Sequence, residues 1–172
     1  MLIVSTGFKK TILFKKKQLM EEKTIAAGIL TICPKTERFL ILKRAKDMKF
    51  AEYWNLPGGS IDDSDGYPKV SAIREFKEET GYSGQMVISK EPLHVSKSNC
   101  FDFYTYVGIV PSEFVPDLNN TEFCENTDYK WVSVLSDFKN SEKIVSNIVD
   151  VLSLKKNKIL AIIKKFKQKK YE

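Results

Sequence analysis

Residues 57–82 read P-G-G-S-I-D-D-S-D-G-Y-P-K-V-S-A-I-R-E-F-K-E-E-T-G-Y. The Pro-Gly-Gly turn leads through an acidic loop to Pro68, a residue that a helix tolerates only in its opening turn. Gly81 supplies the stop. On the helix predicted between them, Glu75, Glu78 and Glu79 stand at i, i+3 and i+4, so their carboxylates share one face. Three like charges at that spacing repel unless a cation sits among them. E-F-K-E-E alone is ordinary solvated helix; the framing turn, the stop and Arg74 are what single it out. The chain has three arginines against 25 lysines, so an Arg here points to a need for a planar, bidentate donor.

The run Arg74-Glu75-Phe76-Lys77-Glu78-Glu79-Thr80-Gly81-Tyr82 resembles the second half of the Nudix box, G-x5-E-x7-R-E-U-x-E-E-x-G-U, with U a bulky apolar residue. The first half departs from the pattern. Counted from Gly59, the acid position falls on Asp65, and eight residues in place of seven then precede Arg74; counted back from Arg74, it falls on Gly66. The loop is therefore one residue longer or lacks that acid.

The resemblance implies an α/β Nudix fold, a mixed β-sheet sandwiched between helices (α/β/α), with the box forming a loop, a helix and a loop. It further implies that Glu75, Glu78, Glu79 and the Gly58 carbonyl hold a divalent cation, Mg²⁺ or Mn²⁺. Glu125 is a further implied ligand, with Glu122 in reserve. Arg74 becomes a structural fork on Asp62, Asp63 or Asp65, pointing away from Glu78, and Gly81 closes the helix. Lys43, Arg44, Trp54 and Gly59 fall where substrate contacts are expected. Trp54 has two readings, packing under its loop or stacking on a base.

The chemistry is coherent. Cutting a phosphoanhydride requires neutralised phosphoryl charge and an activated water, both of which divalent cations supply; Mg²⁺ takes oxygen ligands and keeps several waters. A carboxylate must accept the water's proton, and Glu78, Glu79 and Glu125 compete for that role. The expected activity is hydrolysis of a pyrophosphate bond in a nucleoside diphosphate linked to another moiety. Processing of capped RNA ends and a catalytically weak nucleotide-binding module are the alternatives.

Working outward, 172 residues with 42% hydrophobic and 29% charged side chains suit one globular domain. No run reaches the ~20 apolar residues of a membrane-spanning helix. Cys33, Cys100 and Cys124 lack paired metal spacing and read as free thiols of a reducing, cytoplasmic setting. The net charge of +6 is unevenly spread: residues 1–23 carry +4, residues 155–172 carry +7, and residues 24–154 carry −5. We therefore expect a basic extension over 1–23, the catalytic domain over 24–154 and a Lys-rich helical tail over 155–172. Packing on the domain, a homodimer contact, a membrane surface or RNA would each suit that tail.

Upstream of the box, Ile25 to Cys33 and Phe39 to Lys43 read as an antiparallel hairpin around Pro34 to Glu37, with Lys43 and Arg44 emerging together. Downstream, Gln85 to Lys90 and Phe101 to Val110 read as strands, the second burying one alternating set, with His94 between them. Residues 111–128 form a long acidic loop before a strand at Tyr129 to Ser133. A helix is expected to start at Leu135 to Phe138, and an amphipathic one to span Ser141 to Leu154.

Overall fold

In the computed structural model, residues 23–119, 125–136, 138 and 143–168 are described. Residues 1–22, Glu122, Cys124 and the last four residues lie outside them. Eight strands form one mixed sheet: β1 (Thr24–Cys33), β2 (Arg38–Arg44), β3 (Trp54–Asn55), β4 (Gly58–Ser60), β5 (Val87–Ile88), β6 (His94–Lys97), β7 (Phe101–Ile109) and β8 (Asn126–Ser133). Helix α1 (Pro68–Thr80) covers one face and α2 (Ser146–Gln168) the other.

Strand β1 organises the sheet. Along one edge it pairs in parallel with β7 from Thr24↔Phe101 to Ile32↔Ile109. Its other edge is divided, Ala26 to Gly28 pairing with β4 and Ile32 and Cys33 with β2. At the division the Ile29 N–H is taken by the Pro57 carbonyl at 2.9 Å. This split lets the Pro-Gly-Gly turn enter the sheet from the side and leave again toward α1.

Burial follows a period of two on both faces, as expected for strands between two helical layers. Ala27, Ile29, Leu40, Leu42 and Tyr106 meet Ala72 and Phe76 of α1. Leu30, Ile32, Phe39, Ile41, Val107 and Ile109 meet Ile148, Val151, Leu152, Ile159 and Ile163 of α2. The expectation that β7 buries one alternating set is corrected here. It lies inside the sheet with helices on both sides, so residues from both sets are buried.

Helix α1 starts at Pro68 and ends at Gly81, whose φ of 62° is left-handed and whose N–H bonds the Lys77 carbonyl at 2.8 Å. Among the corrections, Val134 and Leu135 form a turn, Ser136 and Phe138 are non-helical, and the helix starts at Ser146. It then runs unbroken past Leu154, so the Lys-rich segment continues a core helix as far as Gln168. His94 opens β6, a strand the sequence reading left out, opposite Thr105.

Candidate active site

The box helix faces the split in β1, and its inward carboxylate is Glu79, only 7% exposed. Both of its oxygens are engaged: Gly58 N–H donates to Oε2 at 2.7 Å and Asn126 Nδ2 to Oε1 at 3.0 Å. Gly58 sits at φ 154°, where a Cβ would fall 2.4 Å from the Ala27 carbonyl oxygen, so only glycine brings this amide to the carboxylate. Burial pushes the Glu79 pKa up to about 8, against the two hydrogen bonds and the Arg44 charge.

Around it stand three further carboxylates and two guanidinium groups. Glu75 lies against Gly59, where a Cβ would approach its Cδ to 2.5 Å. Burial raises its pKa despite Arg74 beside it, and the charges of Glu78 and Glu125 add to the rise. Arg44 Nη1 is 3.9 Å from Glu79 Oε1 and its Nη2 3.6 Å from Glu125 Oε2. The Glu125 carbonyl accepts the Ala45 N–H at 2.8 Å, which fixes the end of the acidic loop beside β2. Lys43, by contrast, pairs its backbone with Trp54 on β3 and takes no part in these contacts.

Arg74 is the fork of the loop, and its partner is Asp65. Nε donates to Oδ1 at 3.0 Å and Nη2 to Oδ2 at 2.9 Å, with Asp62 Oδ2 3.3 Å from Nη2. The extra loop residue is taken up next to it by Gly66 at φ 69°. A longer loop thus delivers a shorter acid to the same guanidinium. Arg74 holds the Asp65 pKa down to about 2, while burial opposes the shift. Arg74 Nη1 also reaches Glu75 Oε1 at 3.0 Å and Glu78 Oε2 at 2.8 Å. The reading that Arg74 points away from Glu78 is therefore corrected, since residues i and i+4 share a helix face.

Trp54 lies in the core at 9% exposure, with Lys130 Nζ 4.3 Å from its ring centre. A base stacking there would have to displace that lysine. Asn126 went unnoticed in the sequence; its only signal is its place directly after Glu125 at the start of β8.

Among the described residues, no group of three His, Cys, Asp or Glu side chains is drawn together as a ready-made metal site. Arg74 holds Glu75 and Glu78 while Glu79 faces Gly58. The donor set nonetheless suits a hard divalent cation, being all oxygen. Burial raises the pKa of both Glu75 and Glu79, and a bound cation would oppose that shift by favouring their carboxylates.

The sequence profile described as the NUDIX domain matches residues 22–144. The chain belongs to the Nudix family, whose members generally use divalent metals. It is 39% identical over 56 residues to a CMP-5'-(N-acetyl-N-hydroxy-3-aminopropyl)phosphonate hydrolase of Streptomyces rubellomurinus, covering 33% of this chain and 27% of the relative. It is 28% identical over 108 residues to the putative hydrolase 111R of Invertebrate iridescent virus 3, covering 63% and 57%. Both alignments thus span less than two thirds of the relatives' own length. The solved structure of the MutT protein of Methanosarcina mazei Go1 superposes with a TM-score of 0.57 at 26% identity, covering 80% of this chain and 96% of that one. No helix among the described residues is long and apolar enough to cross a membrane.

Proposed function

We propose that this protein is a Mg²⁺-dependent or Mn²⁺-dependent hydrolase that cuts the pyrophosphate bond of a nucleoside diphosphate joined to another moiety. The observation that carries this reading is Glu79, a buried carboxylate held by Gly58 and Asn126 beside Glu75, Glu78, Glu125 and Arg44. A bound cation would neutralise phosphoryl charge and lower the pKa of the attacking water. Glu75, Glu78, Glu79 and the Gly58 carbonyl would hold it, with Glu125 as a further donor. Arg44, whose two terminal nitrogens lie beside Glu79 and Glu125, would turn to a substrate phosphate once a cation takes those carboxylates.

For the proton of the attacking water, Glu125 is the base that the geometry favours. Glu79 is only 7% exposed and Glu78 is held by Arg74, whereas the Glu125 side chain is 38% exposed with one loose ion pair. The Streptomyces relative, named for a substrate in which CMP is joined to a phosphonate, supports a nucleotide linked through phosphorus.

The test is a screen with Mg²⁺ or Mn²⁺ against nucleotide sugars, ADP-ribose, dinucleoside polyphosphates and nucleoside triphosphates. Capped RNA belongs in the same screen, because α2 carries six lysines against Asp150 alone. We expect metal-dependent turnover of at least one member, with Glu79→Gln and Glu125→Gln each reducing kcat by about 10² or more. A silent panel with either metal would leave a nucleotide-binding module as the better description.

A further inference from the structure

Helix α2 has two faces of opposite character. Its inner face, with Ile148, Val151, Leu152, Ile159 and Ile163, is taken up by the core. The face left to solvent is basic. From Lys155 onward the helix carries Lys155, Lys156, Lys158, Lys164, Lys165 and Lys167 and no acid, since Asp150 precedes the first of them. Lys155 is half-buried and the other five are exposed. Residues 24–154 carry −5, so this positive charge is segregated on one element and not spread over the surface.

Little in the fold offsets it. Among the described residues, these lysines form one ion pair, Lys167 Nζ to Glu37 Oε1 at 2.5 Å. Lys155 with Lys158 and Lys164 with Lys167 are like charges three residues apart, and such neighbours weaken a helix when nothing negative stands between them. At 3.6 residues per turn, Lys158 and Lys165 run along one flank of the helix and Lys156 and Lys167 along the other, with Lys164 between them on the outer side. The lysines therefore cover the solvent-facing arc over about 18 Å of the axis.

We propose that this face of α2 binds the phosphodiester backbone of a single-stranded nucleic acid. A bilayer is the poorer partner, because an interfacial helix must offer its apolar face to lipid. That face of α2 lies against the sheet, and its large apolar side chains in solvent are Val149 and Leu154. A stiff duplex would meet only part of a convex arc, whereas a flexible strand follows it from flank to flank. The helix has no arginine, the residue most used to read base edges, so its contacts are to phosphate and carry no sequence preference. Each neutralised phosphate releases counterions, which makes such binding steeply salt-dependent. The carboxylate site lies across the sheet, on the α1 side, and the proposal does not depend on the hydrolase reading.

The test is fluorescence anisotropy of the full chain with labelled RNA and DNA strands of about ten nucleotides. Each strand ends in a 5′-hydroxyl and is measured in EDTA, so that neither a pyrophosphate bond nor a cation engages the carboxylates. Both strands should bind alike, and affinity should fall about twentyfold or more between about 50 and 200 mM salt, as for three or more phosphate contacts. Lys158→Gln with Lys165→Gln should weaken binding about tenfold or more and lower the salt slope by about 1.4, without lowering Tm. Lys90→Gln with Lys97→Gln, the same change of charge on exposed residues of the β5–β6 edge, should leave both nearly unchanged. Absence of binding to either strand would overturn the proposal, as would an equal loss in the two double variants. Binding to phosphatidylserine vesicles with none to either strand would overturn it in favour of a lipid surface.

Discussion

Glu79 carries the greatest consequence of any single residue. Its ordinary pKa of 4.5 rises to about 8 in the fold, so the unfolded chain releases this proton long before the folded protein does. The sign follows from linkage: between pH 4.5 and 8 the contribution of Glu79 to stability falls as pH rises, and above 8 the whole cost is present. A divalent cation reverses the balance by favouring the carboxylate. At pH 7, titrating the metal-free protein with Mn²⁺ in buffers of differing ionisation enthalpy should therefore release about one proton per ion. Glu79→Gln should release far fewer, and its metal-free Tm should fall less between pH 5 and 8. Equal proton release by the variant would move the titrating group elsewhere.

At the scale of elements, the acidic loop and α1 are joined by the Asp65–Arg74 fork, and their joint is acid-sensitive. Asp65 is held at about 2 against an ordinary 3.8, so its stabilisation is complete above pH 3.8 and is lost as pH falls through about 2. Asp65→Asn should lower Tm at pH 7 and lose less further stability than the parent between pH 4 and 2, as followed by circular dichroism. This joint also marks how far the sequence could be read. Spacing gave α1, its Pro68 start and its Gly81 stop, because those signals are local. It left Asp62, Asp63 and Asp65 as equal partners for Arg74, because the choice depends on how Gly66 turns the loop. Asn126 and the Arg44 contacts stayed hidden for a related reason: they come from strands paired across the sheet, and nothing local in either segment points to the other.

For the whole molecule, the α2 layer covers the larger of the two buried clusters, although its outer surface is rich in lysine. Ile159 and Ile163 lie beyond the residue-154 boundary drawn from composition, yet they are 1% and 2% exposed in the core beneath α2. Burying such a side chain contributes ~1.5–3 kcal/mol. Deleting residues 155–172 should therefore cost at least ~3 kcal/mol, read as a lower urea midpoint. Replacing exposed Lys156 and Lys164 by Glu should leave that midpoint nearly unchanged. A deletion that unfolds at the parent's midpoint would make the segment a dispensable appendage. Charge averaging set that boundary because lysines outnumber the inward isoleucines, while the helical spacing of the isoleucines made packing on the domain one of the readings of this segment. The parallel pairing of β1 with β7 has a further consequence, in time. On the ribosome β1 is made before the box helix and its longest partner after it; Asn126, which completes the hold on Glu79, comes later still. The carboxylates of α1 are thus made before the strands that enclose them, and until Asn126 follows the nascent chain carries Glu79 without the amide that holds its Oε1.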